Sequence, residues 1–137
     1  MAGKPHGFGQ YKWGNGSSYT GEFQNGLKHG HGKWKKKQAD EFGNLTKCNS
    51  YEGMYENDKK HGYGVFEWES GNKYDGNYKE DERHGYGVMS WTDGSTYMGI
   101  WEDGIQNGVG IMIFPDGTER AGIFEENVFK ESLKRAD

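Results

Sequence analysis

Residues 74–96 read YDGNYKEDERHGYGVMSWTDGST, and the same spacing recurs on both sides of them. Tyr51, Tyr74 and Tyr97 stand 23 residues apart. Registering the copies on these tyrosines aligns Gly53, Gly76 and Gly99, then Tyr55, Tyr78 and Trp101, then Gly62, Gly85 and Gly108. The columns continue through Gly64, Gly87 and Gly110, and Trp68, Trp91 and Phe114, to the turn glycines Gly71, Gly94 and Gly117. A fixed period decides the architecture before any single element is assigned. An earlier copy starts at Tyr19 with Gly21, Phe23, Gly26, Gly30 and Gly32; Tyr51 follows Tyr19 by 32 residues rather than 23, nine more. Half copies flank the array, from His6-Gly7-Phe8-Gly9 through Trp13 to Gly16, and at Arg120, Gly122 and Phe124.

Inside a copy, Tyr74-Asp75-Gly76-Asn77-Tyr78 alternates ring or glycine with polar, the period of a strand. Lys79 to Arg83 is a charged turn, His84 to Trp91 a second extended run, and Thr92-Asp93-Gly94-Ser95 holds the Asp-Gly pair that favours a tight reversal. Each copy is therefore one hairpin plus a link to the next.

The composition fits such an array better than a packed globule. Only 31% of the 137 residues are hydrophobic, yet 15% are aromatic and 24 are glycine, so the apolar side chains are concentrated in rings. A single cysteine, Cys48, excludes an internal disulfide. No apolar run approaches the roughly 18 to 20 residues of a membrane span, and the first ten residues lack a signal peptide's apolar stretch, which points to a soluble, cytoplasmic chain.

The pattern Tyr-x-Gly-x-aromatic, a short charged turn, then Gly-x-Gly and an aromatic resembles the MORN repeat, from residue 6 to about 124. The departures are the extra residues after Gly32, Arg120 in the tyrosine position, and Asp58 and Asp81 where Gly26 and Gly104 stand in other copies. The chain divides into an array over 1–124 and a tail over 125–137. The array comprises half repeat 6–18, repeat 19–50 with an insertion at 33–50, repeats 51–73, 74–96 and 97–119, and half repeat 120–124.

The expected fold is all-β: a single-layer, twisted antiparallel meander of about ten strands made of tandem 23-residue hairpins. Nine steps of roughly 4.8 Å make it about 43 Å long. Glycines leave room for rings to lie flat over the backbone, which holds a sheet that has no second layer. In the tail, Val128, Phe129 and Leu133 share one stripe of a short C-terminal helix that caps the array or meets a partner.

The sequence offers no catalytic constellation, metal site or cofactor motif. His6, His29, His61 and His84 occupy one register of the repeat, which places successive members about 9.6 Å apart, too far to converge on one ion. The Gly-x-Gly pairs lie inside strands and lack the following helix of a phosphate loop. Binding is the expected role, and a nucleic-acid partner is not.

Two surfaces are candidates. One is the aromatic face: Tyr19, Phe23, Tyr51, Tyr55, Tyr74, Tyr78, Tyr97 and Trp101, with Trp13, Trp68 and Trp91 behind, suited to a helical or extended protein segment. The other is the basic insertion with Lys33, Lys35, Lys36, Lys37 and Lys47. Residues 1–50 carry 8 Lys+Arg against 3 Asp+Glu, net +5, and residues 51–137 carry 9 against 18, net -9. The basic cluster suits an acidic protein surface or, weakly, an anionic lipid.

The resemblance implies a non-enzymatic scaffold or adaptor, because MORN-like arrays occur in ciliary radial-spoke heads, protist cytoskeletal scaffolds and adaptors that grip a motor protein. The location it implies is the cytoskeleton or ciliary axoneme. It also leaves open membrane association through phospholipid, an accessory role to a methyltransferase, and end-to-end self-association.

Overall fold

The charged turns close as two-residue reversals in which both residues have positive φ: Asn25-Gly26 (52°, 84°), Asn57-Asp58 (48°, 73°), Glu80-Asp81 (47°, 71°), Asp103-Gly104 (51°, 85°) and Glu126-Asn127 (49°, 68°). This mirror-image turn matches the right-handed twist of the strands it joins, and Asn, Asp and Gly tolerate it best. In the computed structural model these turns and the links between them place eleven antiparallel strands side by side in sequence order. The structure describes residues 6–39, 41–43 and 45–132.

The strands are β1 Gly7–Lys12, β2 Ser17–Gln24, β3 Leu27–Ala39, β4 Leu45–Glu56, β5 Lys59–Glu67 and β6 Lys73–Lys79. They continue as β7 Glu82–Ser90, β8 Thr96–Glu102, β9 Ile105–Ile113, β10 Glu119–Glu125 and β11 Val128–Ser132. The links close as well: Trp68, Trp91 and Phe114 N–H donate to the carbonyls of Asn72, Ser95 and Thr118 at 2.9, 2.9 and 2.8 Å. A register shift recurs beside each central glycine, at Gly21/Phe23, Gly53/Tyr55, Gly76/Tyr78 and Gly99/Trp101. Bulges of this kind bend a strand and increase its twist.

Two expectations are corrected. The sheet has eleven strands rather than about ten, and the segment expected to be a helix after residue 125 is strand β11, with no helix among the described residues. Glu126-Asn127 makes the same turn as Asn57-Asp58, so Val128 and Phe129 fall on opposite faces of a strand instead of sharing a helical stripe. Leu133 lies outside the described residues.

The core is a line of rings on one face, called the inner face below. Opposed glycine pairs Gly21–Gly32, Gly53–Gly64, Gly76–Gly87 and Gly99–Gly110 form its floor. A Cβ on Gly21 or on Gly99 would stand 2.5 Å from the opposite glycine's Cα, and one on Gly32, Gly64, Gly87 or Gly110 would overlap a tyrosine hydroxyl. Tyr19, Tyr51, Tyr74 and Tyr97 lie over these pairs and donate to the carbonyls of Glu22, Met54, Asn77 and Ile100 at 2.9, 2.8, 2.8 and 3.1 Å.

Each tyrosine meets the ring of its own hairpin and that of the next edge-to-face. The contacts run unbroken through Tyr11, Phe23, Tyr19, Tyr55, Tyr51, Tyr78, Tyr74, Trp101, Tyr97, Phe124 and Phe129, with centroids 4.7 to 5.6 Å apart. Such a pair contributes about 0.5 to 1.5 kcal/mol beyond its buried area. The last hairpin, β10–β11, extends this line through Phe124 and Phe129.

Candidate binding grooves

The alternation of the strands puts the two tryptophans Trp68 and Trp91, which begin the links, half-buried at the rim of the inner face. Trp13 is exposed, and the other eight rings singled out from the sequence lie deeper. Tyr19, Tyr74 and Tyr97 are 0% exposed and Tyr51 1%, while Phe23, Tyr55 and Tyr78 are 6% and Trp101 3%. These eight are the floor of the sheet, and Trp68 and Trp91 are walls standing above it.

Burial has an electrostatic consequence. It pushes the Tyr19 hydroxyl up from 10.0 to about 12, aided by the nearby carboxylates of Glu22 and Asp58. Burial likewise raises Tyr51, Tyr55, Tyr74, Tyr78 and Tyr97. The Tyr55 and Tyr78 hydroxyls are raised further by their neighbouring tyrosines. In Tyr74 the adjacent Arg83 charge opposes the effect of burial.

A cation caps the rings at three of the four hairpin junctions. Lys28 Nζ lies 5.8 Å from the Tyr19 ring and 5.6 Å from Tyr55. The Asp58 carboxylate of the next turn accepts the Lys28 N–H at 2.8 Å and meets Nζ at 3.4 Å, while Asp58 N–H donates to the Lys28 carbonyl. Lys60 repeats the arrangement, over Tyr51 and Tyr78 at 5.7 Å, with its N–H 2.8 Å and Nζ 3.3 Å from Asp81. Between them lies a groove of about 170 Å³ lined by Trp34, Phe66 and these two ion pairs.

The next junction differs. Arg83 stacks 4.8 Å over Trp101 and 5.9 Å from Tyr74, but Gly104 occupies the aspartate position. Gly104 N–H donates to the Arg83 carbonyl at 2.9 Å, and Arg83 Nη2 donates to the Gly104 carbonyl at 2.6 Å. Arg83 Nε is buried without an acceptor. The groove here measures about 490 Å³, with Trp68, Trp91, Trp101 and Met89 as its apolar lining and Ser70, Asn72, Gln106 and Asn127 at its polar margin. The final junction is neutral: buried Gln106 donates its N–H to Asn127 Oδ1 at 2.7 Å.

The extra residues of the second hairpin lengthen β3 and β4 rather than forming a separate loop. Lys33, Lys35 and Lys37 pair with Glu52, Ser50 and Cys48 and lie on the outer face, whereas Lys36 pairs with buried Ser17 on the inner one. Glu52 and Glu67 line the same outer groove as Lys33 and Lys35, which tempers the basic field. Lys47 is placed on β4, and its side chain lies outside the described residues.

The outer face also changes along the ribbon, as residues paired in turn across the strands show. Thr20, Lys33, Glu52, Val65 and Asp75 give way to Val88, Met98, Ile111 and Ala121. Tyr63 and Tyr86 stand exposed there; Tyr63 donates to Asp75 Oδ1. Among the described residues no group of three or more His, Cys, Asp or Glu is placed to hold a metal.

Sequence reasoning noted Gly104 only as a variation in the repeat and passed over Arg83; neither was made a site residue. Their signal was the alternation of Asp and Gly in one turn column, visible at Gly26, Asp58, Asp81 and Gly104.

Comparison with known proteins finds the MORN repeat at residues 1–18, 19–38, 51–73, 74–96 and 97–119. The chain is also similar to alsin from Homo sapiens and from Rattus norvegicus, 49% identical over 35 residues in each case, or 26% of this chain. The chain spans about 2% of the length of these curated relatives.

Proposed function

This chain belongs to the MORN-repeat family, and from that premise we propose that it is a non-enzymatic scaffold or adaptor holding a protein partner on the inner face of its sheet. MORN-repeat proteins are typically binding proteins for protein or lipid rather than enzymes. The observation that carries the reading is the groove at Trp68, Trp91 and Trp101. It is concave, walled by half-buried tryptophans and rimmed by amide and hydroxyl groups, the composition that seats a polypeptide segment. The family's company favours a cytoskeletal or ciliary assembly as the setting.

The sequence-derived contact list divides accordingly. Trp68 and Trp91 touch the partner, and the buried tyrosines hold the surface in shape. The test compares wild type with a Trp68→Ala/Trp91→Ala variant of unchanged circular dichroism, by affinity capture from the native cell. Loss of the captured protein is expected; capture at wild-type level would remove the groove from the account.

The lysine row Lys33, Lys35 and Lys37 on the outer face supports a second reading, contact with anionic lipid, which Glu52 and Glu67 weaken. Sedimentation with phosphatidylserine vesicles at low salt tests it, and absence of binding rejects it.

A further inference from the structure

The inner face repeats one device, a cation lying across two aromatic rings, and at two junctions the chain supplies the counter-charge itself. Lys28 has Asp58 and Lys60 has Asp81, each aspartate contributed by the turn of the following hairpin. Arg83 holds the same station over Tyr74 and Trp101, and the turn that follows it offers Gly104 instead. Among the described residues no carboxylate forms an ion pair with Arg83, and none of those lining its groove is acidic.

Space accompanies the missing charge. A Cβ added at Gly104 would have nothing within 4 Å, so the volume filled at the other two junctions by an aspartate side chain is open here. The guanidinium spends one donor on the Gly104 carbonyl and keeps others unused, Nε among them. A cation held in a half-buried, ring-lined groove without its counter-ion attracts one from outside, and a guanidinium fits a carboxylate with paired donors. The two complete junctions show which chemical group this station accepts.

We infer that the groove around Arg83 takes an aspartate or glutamate side chain from the partner polypeptide, which completes in trans the ion pair that Asp58 and Asp81 complete in cis. Residues flanking that acid lie against Trp68 and Trp91. The inference rests on the inner-face binding proposed above and adds to it the chemistry of the bound segment: an acid between apolar residues.

Selection of phage-displayed random 12-residue peptides on the full chain, followed by titration of the winners, tests it. Three variants separate the outcomes. Gly104→Asp installs the internal counter-ion at a position where Asp58 and Asp81 already adopt the required positive φ, so it keeps the fold. Arg83→Gln removes the charge, and Trp68→Ala/Trp91→Ala removes the walls. The expected winners are enriched in Asp or Glu beside apolar residues, bind at least tenfold more weakly to each of the three variants, and lose as much when their acid is changed to its amide.

Winners without acid enrichment, or acidic winners that bind Gly104→Asp as tightly as wild type, overturn the inference. If those winners still need Trp68 and Trp91, the groove reading survives it. Winners indifferent to all three variants, or no winners, overturn both. Displacement of the peptides by millimolar inorganic phosphate as readily as by acetate would reassign the station to anions in general and overturn its assignment to a partner's carboxylate.

Discussion

The groove between the Lys28 and Lys60 junctions and the groove beside Arg83 stand on the same floor of opposed glycines and edge-to-face rings, yet the first is filled by the chain's own charges and the second is open. Three substitutions make the difference. Gly104 stands for aspartate, Arg83 stands for the lysine of Lys28 and Lys60, and Trp101 stands for the tyrosine of Tyr55 and Tyr78, giving the arginine a broader surface to stack on. The copies thus share the floor that holds the sheet and differ in the residues that line the grooves above it. The glycine–tyrosine floor is common to all four full copies, and the copies differ at the turn column, which holds Gly26, Asp58, Asp81 and Gly104.

The largest effect that breaks the comparison removes the shared floor by pH. The raised tyrosines keep their protons longer in the folded chain than in the unfolded one, so they support the fold fully below their ordinary value of 10.0. That support is lost as pH climbs from there, Tyr19 titrating at about 12. Absorbance at 295 nm and far-ultraviolet dichroism followed together should show the buried tyrosines ionising in step with unfolding. Ionisation of these tyrosines in a sheet that keeps its dichroism would contradict the packing described.

Next in size, Gly64→Ala under the filled groove and Gly87→Ala under the open one should each cost more than about 3 kcal/mol in urea unfolding, because the methyl group meets a tyrosine ring that has nowhere to go. Equal losses would show that the two grooves share one kind of floor. A smaller change separates them: Asp81→Ala leaves the Lys60 N–H and ammonium without an acceptor and should cost roughly 1 to 2 kcal/mol. The smallest is a gain. Gly104→Asp should raise stability by about 0.5 to 1 kcal/mol, read as a shift of the urea midpoint at unchanged slope.

Much of this was legible in the sequence. The period located the hairpins, the alternation in Tyr74-Asp75-Gly76-Asn77-Tyr78 assigned their inner side, and the glycine columns announced rings lying on the backbone. Local pattern alone misled at the tail, where Val128 and Phe129 sit at a spacing that serves a helical stripe as readily as two sides of a strand. The clue was the alignment of Phe124-Glu125-Glu126-Asn127 with Tyr55-Glu56-Asn57-Asp58, which Arg120 in the tyrosine position obscured.

Exposure was not legible in the sequence, for a different reason. Sequence tells which rings share a face but not how closely neighbouring hairpins close over them, and Tyr74 disappears because Tyr78 and Trp101 stand edge-on to it and Arg83 lies over it. Two rings that do stay open, Tyr63 and Tyr86, are on the other face. Arg83 remained unread because an unpaired charge is visible only once its partners' positions are known.

The unbroken strand order also makes the sheet an angular scale. From the lysines of β3 to Trp101 on β8 there are five strand steps, which at the usual spacing and twist amount to about 24 Å of travel and ~100 to 125° of rotation. The two stations lie on opposite faces, and the number of strands between them adds a twist to that difference in bearing. Inserting one more 23-residue copy between them would leave each station intact and swing one relative to the other by about 45°, so repeat number in such a chain sets the relative orientation of its surfaces as well as its length.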